Sequence, residues 1–495
     1  MLEGFYGRPW SWDERVEVMR WCAERGMTHY VYAPKDDPKQ RSEWREPYTE
    51  AELDQFRRLA TEGGGLTLGC SVSPGLSIDY RSGEDRALLM AKIESVVSAG
   101  AGMIQLQFDD IPHRPELGVE HADITSWVHT HLAGRAELVM CPVEYVGWDR
   151  TPYLDALADG LHEDVSIAWT GRYVVNETIT VADAEARAAV LGGRKPSLWD
   201  NYPVNDGMMS DQLFIGPLRG RDPGLLDALD GIMFNALVQP HAGLLPLASC
   251  AAFLRGEDPV AAWRDEAARL GWLTFAEACD GAEPRRLVGE LVATGGGPGW
   301  SAAATALAAW LRAAAKATAP GLDDEVAEFL GAVRDEASFC LKALRLYQDT
   351  KPVASIGADG RGVVVPPSED DAMRHGMAVV HEWKRVRRSE QQVLGPRLST
   401  KVAMRTASTG GFSLSDEVVL EDLSATDALV RAALDQASEL AWPAFELTVN
   451  GTPVGDGGRF VVPVGSDPVV VQCGAAATRV EVPGEPPLPE RRLSS

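Results

Sequence analysis

Met103-Ile104-Gln105-Leu106-Gln107-Phe108-Asp109-Asp110-Ile111-Pro112 is a β-rich apolar run that stops on two adjacent carboxylates and then a proline. A strand that delivers paired acids to a loop is a common way to build acid/base chemistry. Two carboxylates this close do not both ionise cheaply near neutral pH, so one is pushed toward the role of an acid. Adjacent residues of a strand point to opposite faces. The two acids therefore converge only if Asp109 is the last pleated residue and Asp110 already belongs to the loop that Pro112 helps to end.

Outward from that run, the first 250 residues alternate short β-rich stretches with helical patterns, which is the signature of βα units around a parallel sheet. The expected strands are a stub before Gly4, then Thr28–Ala33, Leu66–Val72, Met103–Phe108, Glu137–Cys141, Val165–Trp169, Ser197–Trp199 and Gly231–Phe234. Helices are expected at Asp13–Arg25, Glu50–Thr61, Glu84–Ala99, Pro152–Gly160, Val181–Leu191 and Pro246–Leu254. Each strand ends on polar or small residues: Gly4, Lys35, Ser73, Asp109 with Asp110, Glu144 with Tyr145, Thr170, Asp200 with Asn201, and Asn235. A (β/α)8 barrel gathers all eight such ends around one pocket, whereas a doubly wound sheet would not.

At 495 residues the chain exceeds a single core. The expected organisation is an α/β chain: a (β/α)8 barrel over residues 1–257, a helical domain over 258–395 and a small mixed α/β module with a frayed tail over 396–495. The helical part is expected to include Asp323–Gln348 and Glu369–Val393, joined by the Gly/Pro/Val-rich connection Lys351–Pro367, which is placed near the barrel mouth. In the last part a helix near Ala425–Leu440 precedes strands at Phe445–Val449, Arg459–Val464 and Val469–Gln472, with Asn450-Gly451 a strong hairpin signal.

A net charge of −25 argues against sequence-independent binding to nucleic acid. No apolar stretch reaches the length of a membrane span. The triple-Gly segments Gly63–Gly65 and Gly295–Gly297 lack a following GK[ST] and read as turns, not phosphate loops. Seven cysteines without a CxxC pair suggest free thiols, and with no signal peptide in view a cytoplasmic protein is expected. The chain opens abruptly on Leu2-Glu3-Gly4, which leaves room for an upstream start. His113, His121, His129 and His131 lack metal-ligand spacing with a clear third ligand and read as loop and surface residues.

Six segments occur in order: Glu3-Gly-Phe-Tyr-Gly-Arg-Pro-Trp10, Tyr32-Ala-Pro-Lys-Asp-Asp37, Phe108-Asp-Asp-Ile111, Cys141-Pro-Val-Glu-Tyr145, Trp169-Thr-Gly171 and Trp199-Asp-Asn-Tyr-Pro-Val-Asn-Asp206. Together they resemble family 84 of the glycoside hydrolases, the O-GlcNAcase and β-N-acetylglucosaminidase family, over roughly residues 2–255. The resemblance implies retaining removal of terminal β-linked N-acetylglucosamine, with the substrate's own acetamido group as nucleophile and an oxazoline intermediate. It implies that Asp109 orients and polarises the acetamido N–H, and that Asp110 is the general acid and then the base. It further implies sugar contacts from Gly4, Lys35, Tyr145, Trp199, Asn201, Asp206 and Asn235, no metal or cofactor, and a homodimer through the helical domain.

Without the family, the same residues have plainer readings. Lys35 beside Asp36 and Asp37 is a surface ion pair, Tyr145 and Trp199 are core aromatics, and Asn201 and Asn235 are turn residues. A glycosaminoglycan hydrolase and a non-catalytic sugar-binding protein are the rival functions.

Overall fold

The computed structural model describes residues 1–114, 116–294, 299–322, 324–350, 353–365, 369–386, 391–394, 404–406, 412–414, 424–440, 447–453, 459–463, 467–473, 476–480 and 482. Eight parallel strands run in sequence order: β1 Leu2–Glu3, β2 His29–Tyr32, β3 Thr67–Val72, β4 Met103–Gln107, β5 Glu137–Cys141, β6 Ser166–Trp169, β7 Ser197–Asp200 and β8 Gly231–Phe234. A parallel bridge between Leu2 and Asn235, with Ala236 N donating to Leu2 O at 2.9 Å, joins the last strand to the first and closes the (β/α)8 barrel.

The intervening helices are α1 Trp12–Glu24, α2 Glu50–Glu62, α3 Gly83–Ser98, α4 Leu117–Leu132, α5 Pro152–Gly160, α6 Val181–Val190, α7 Leu225–Ala228 and α8 Leu244–Leu254. Their starts are written locally. Ser11 with Glu14, Thr49 with Glu52 and Thr180 with Asp183 form capping boxes, satisfying orphan amides at the N-termini of α1, α2 and α6. The segment of α4 was not expected to be helical.

Strand β4 shows how alternation divides the protein. Ile104, Leu106 and Phe108 join the large core between strands and helices, while Met103 belongs to the smaller interior cluster with Leu2, Val31, Val139 and Trp199. Gln105 and Gln107 share the period of Met103. They are fully buried and bonded to each other, Gln107 Nε2 donating to Gln105 Oε1 at 3.0 Å. That same period carries Asp109 inward.

The chain divides into two compact units. One is built on Met1–Leu273 and also takes in Ala319–Ala327; the other includes Thr274–Thr318 and Glu328–Arg397 and runs on from Asp422. After α9 Pro259–Leu270 and α10 Leu273–Asp280, the second unit contains α11 Ala282–Thr294, α12 Trp300–Ala314, most of α13 Ala327–Asp349, and α14 Glu369–Val386. The described part of 351–367 is not a plain connection but a hairpin, Val353–Ile356 against Arg361–Val365, in which the β-branched residues Val353, Ile356 and Val363–Val365 favour β structure.

Beyond it lie a helix at Ala425–Leu440 and a four-stranded sheet built from Leu447–Val449, Thr452–Pro453, Val469–Cys473 and Ala476–Val480. Asn450 and Gly451 both take left-handed backbone at its hairpin turn (φ +50° and +75°), as that dipeptide demands. The Gly295–Gly297 turn, the ends of 351–367 and the tail 483–495 lie outside the described residues. Among the described residues no helix is long and apolar enough to cross a membrane, and six cysteines are free thiols, five of them buried.

Candidate active site

The C-terminal ends of the strands surround a cavity of about 620 Å³, counted to its open mouth. Gly4, Lys35, Asp109, Asp110, Tyr145, Trp199, Asn201, Asp206 and Asn235 all line it, together with Tyr6, Cys141, Thr170, Val174, Val175, Val204 and Met209.

Asp109 follows the inward period of Gln105 and Gln107 and is buried. Lys35 Nζ donates to its Oδ2 at 2.6 Å and to Gln107 Oε1 at 2.9 Å. Lys35 is thus a buried partner of Asp109, not a surface partner of Asp36 and Asp37. Burial pushes the Asp109 carboxyl up, but the charges of Lys35 and Arg41 and the Lys35 hydrogen bond outweigh that and hold it below the usual carboxylate range. Its other oxygen, Oδ1, is buried and has no hydrogen-bond partner among the described residues. A buried acceptor left unpaired is costly unless something donates to it.

Asp110 does not continue the pleat. Its φ of +54° lies in the left-handed region, which aspartate reaches more readily than most residues. That turn brings the second carboxylate to the cavity instead of the opposite face. There Tyr6 donates from its hydroxyl to Oδ2 and Tyr145 to Oδ1, both at 2.8 Å. Burial and the neighbouring aspartates push both phenols up, so each remains a neutral donor.

The remaining polar groups brace one another. Asn235 Oδ1 accepts from Gly4 N at 3.0 Å, and its Nδ2 donates to Asn201 Oδ1 at 2.9 Å. Asn201 Oδ1 also accepts from Trp199 Nε1 at 3.0 Å. Gly4 is glycine because a Cβ there would stand 2.8 Å from the Trp199 ring. Asp206 accepts from Tyr6 N at 2.7 Å, and burial raises its carboxyl more than its backbone hydrogen bonds lower it.

Three expected strand-end groups are occupied elsewhere. Ser73 Oγ accepts from Arg41, Glu144 pairs with His113 at 2.9 Å, and Asp200 takes a bidentate pair from Arg221 at 2.8 and 2.6 Å.

These observations meet in one family. The model of the beta-N-acetylglucosaminidase family matches residues 1–278. This chain belongs to that family. The proteins named Protein O-GlcNAcase from Rattus norvegicus and Mus musculus are each 30% identical to it over 272 residues, 52% of this chain. The chain matches 30% of the length of those relatives. A solved mutant of the Thermobaculum terrenum O-GlcNAc hydrolase shares the fold, with a TM-score of 0.72 at 22% identity over 89% of this chain and 95% of that one.

Placing the family's motifs on the structure separates support from site. Glu3 of the first motif faces away from the cavity into a buried pair with Arg15, and Asp37 of the second accepts from the hydroxyls of Tyr32 and Tyr48 at 2.9 and 3.0 Å. Among the residues not expected at the site, Tyr6 lines the cavity and Arg41 bonds the Asp109–Asp110 backbone. Tyr6 sits in the first motif, two residues after Gly4; Arg41 carries no local signal.

The reading of His121 is also corrected. His121 is neither loop nor surface: it lies on α4, fully buried, stacked on Phe108 at 3.9 Å and bonded to the hydroxyls of Tyr80 and Tyr153 at 2.9 and 2.8 Å. Burial holds it well below the usual histidine range, so it is neutral. Elsewhere His129, His162 and Asp164 cluster. Their ligand atoms lie within 4.8 Å of one another, and the two imidazoles are stacked at 4.1 Å.

Proposed function

We propose that this chain is a retaining β-N-acetylglucosaminidase that removes terminal β-linked N-acetylglucosamine from a glycoconjugate by substrate-assisted catalysis. The observation that carries this reading is Asp109: a buried carboxylate of the cavity wall, held ionised by Lys35 and Arg41, whose Oδ1 has no partner among the described residues. An acetamido N–H is a donor of the right kind for that oxygen.

In this reading the acetamido oxygen attacks the anomeric carbon, the bond to the leaving oxygen breaks, and Asp110 gives that oxygen a proton. Positive charge spreads over the forming oxazoline. The Asp109 carboxylate on its N–H stabilises the charge more in the transition state than in the ground state. Water then attacks the same carbon, Asp110 takes its proton, and the ring reopens with net retention. Neither aspartate forms a bond to the sugar, which departs from the two-carboxylate scheme with an enzymic nucleophile.

Each Asp110 oxygen is bonded to a phenol hydroxyl. A proton on Oδ2 reverses the bond to Tyr6, which is 41% exposed and free to give way to the leaving oxygen. Tyr145, buried, holds the other oxygen throughout. Asp206, ready to accept from a pair of hydroxyls, and the braced Asn201–Asn235 pair supply the sugar contacts.

The test compares hydrolysis of an aryl β-N-acetylglucosaminide with that of the corresponding β-glucoside. Cleavage of the first alone, lost in Asp110→Ala and recovered with a very acidic leaving group, is expected. Failure of the folded protein to cleave either would sink the reading in favour of a sugar-binding protein.

A further inference from the structure

We propose that Arg41 is a positioning residue for the proton-donating step, clamping the backbone of the Asp109–Asp110 turn so that the second carboxylate faces the cavity. This rests on the reading of Asp110 as the proton donor. Arg41 lies in the segment between β2 and α2 and is 7% exposed. Its Nη2 donates to the carbonyl oxygen of Asp110 at 3.2 Å and, more weakly, to that of Asp109 at 3.4 Å. Nη1 donates to Ser73 Oγ at 3.1 Å. One guanidinium therefore ties the ends of β3 and β4 together at the peptide where the pleat is broken.

That peptide needs tying. Asp110 occupies left-handed backbone, a conformation a non-glycine residue keeps only where the surroundings over-determine it. Relaxation of this residue to ordinary extended backbone would return its side chain toward the opposite face of the strand. The clamp is itself braced. Gln40 O accepts from Ser73 N at 2.8 Å, and Gln40 Nε2 donates to Ser71 Oγ at 2.9 Å and to Gln107 Oε1 at 3.0 Å. The guanidinium reaches the two carbonyls from one nitrogen and the hydroxyl from another, a span that a lysine ammonium, whose three donors share a single nitrogen, lacks.

Arg41 also stands 4.0 Å from Asp109 Oδ2 and helps to hold that group ionised. The two roles separate by leaving group. Asp109 acts on oxazoline formation whatever the aglycone, whereas an acid matters most when the departing oxygen is a poor leaving group. The experiment measures kcat/KM for wild type, Arg41→Gln and Arg41→Lys on aryl β-N-acetylglucosaminides of graded leaving-group acidity, with Tm recorded for each.

Arg41→Gln is expected to lose roughly 10- to 100-fold on the poorest leaving group, the scale of an ångström of misplacement. It should lose little on the most acidic, giving a steeper dependence than wild type. Arg41→Lys keeps the charge but not the fork and should show the same steepening, so it carries the comparison should the glutamine variant fail to fold. An equal loss across the series would overturn the proposal and assign Arg41 to Asp109 or to stability alone. Unchanged kinetics at wild-type Tm would overturn it as well. A wild type that cleaves none of the series overturns the functional reading, and this inference with it.

Discussion

Two buried acid–base pairs stand at strand ends of the same barrel and are finished differently. Glu3, on the helix side of β1, accepts from Arg15 Nε and Nη2 at 2.8 Å each, from Trp10 N at 3.3 Å and from the Tyr30 hydroxyl. Both its oxygens are used, and it is wholly buried. Asp109, on the inner side of β4, has Lys35 on one oxygen and no partner on the other among the described residues. A saturated carboxylate can only hold its neighbours in place. An unsaturated one, kept ionised, stores an unmet demand that a donor from outside can satisfy, and that is the difference between a support and a site.

The comparison breaks most sharply if each acid is neutralised in turn. Glu3→Ala leaves Arg15 buried without its partner and should cost about 3–5 kcal/mol of stability, read by chemical denaturation. Asp109→Asn preserves shape and most packing. It should lower kcat per folded molecule on an aryl β-N-acetylglucosaminide by roughly 10²- to 10³-fold, beyond any loss of stability from leaving Lys35 without its charge partner. If Asp109→Asn instead unfolded the protein while retaining turnover per folded molecule, the assignment of the two pairs would be reversed.

Lys35→Met sharpens the contrast through pH. The Asp109 carboxyl is held low, so its ionised form, with whatever stability and activity depend on it, is present above that depressed range and lost as pH falls through it. Removing the Lys35 charge should move the acid limb of the kcat/KM profile upward by about one pH unit or more. An unmoved limb would mean that Arg41 alone sets the charge. Smallest of all, Tyr6→Phe deletes one of two phenol hydrogen bonds to Asp110 and should change kcat/KM by no more than about 1.5 kcal/mol, roughly 10-fold, because Tyr145 still holds the other oxygen.

Much of this was legible in the residues. Strands β5 and β8 have the expected bounds and the other barrel strands differ by a residue or so at their ends, because alternation is a local pattern; the nine site residues implied by the family resemblance line one cavity. What escaped was non-local. His121 looked like one of a group of loop histidines, yet an amphipathic turn of α4 turns it under Phe108, where two tyrosine hydroxyls satisfy its ring. Arg41, in a segment without periodicity, reaches residues 68 and 69 positions away.

By itself, then, the sequence determined the order of strands and helices, the face of β4 that carries Asp109, and the family to which the barrel belongs. Those follow from side-chain period and from motifs contiguous along the chain. Tertiary structure alone decided that Glu3 is saturated and Asp109 is not, that Asp110 leaves the pleat at a positive φ, and that Arg41 lies beneath it. Each of these depends on which donors the closed barrel brings within about 3 Å of a given oxygen, a distance that hydrogen bonding requires and that no spacing along the chain encodes.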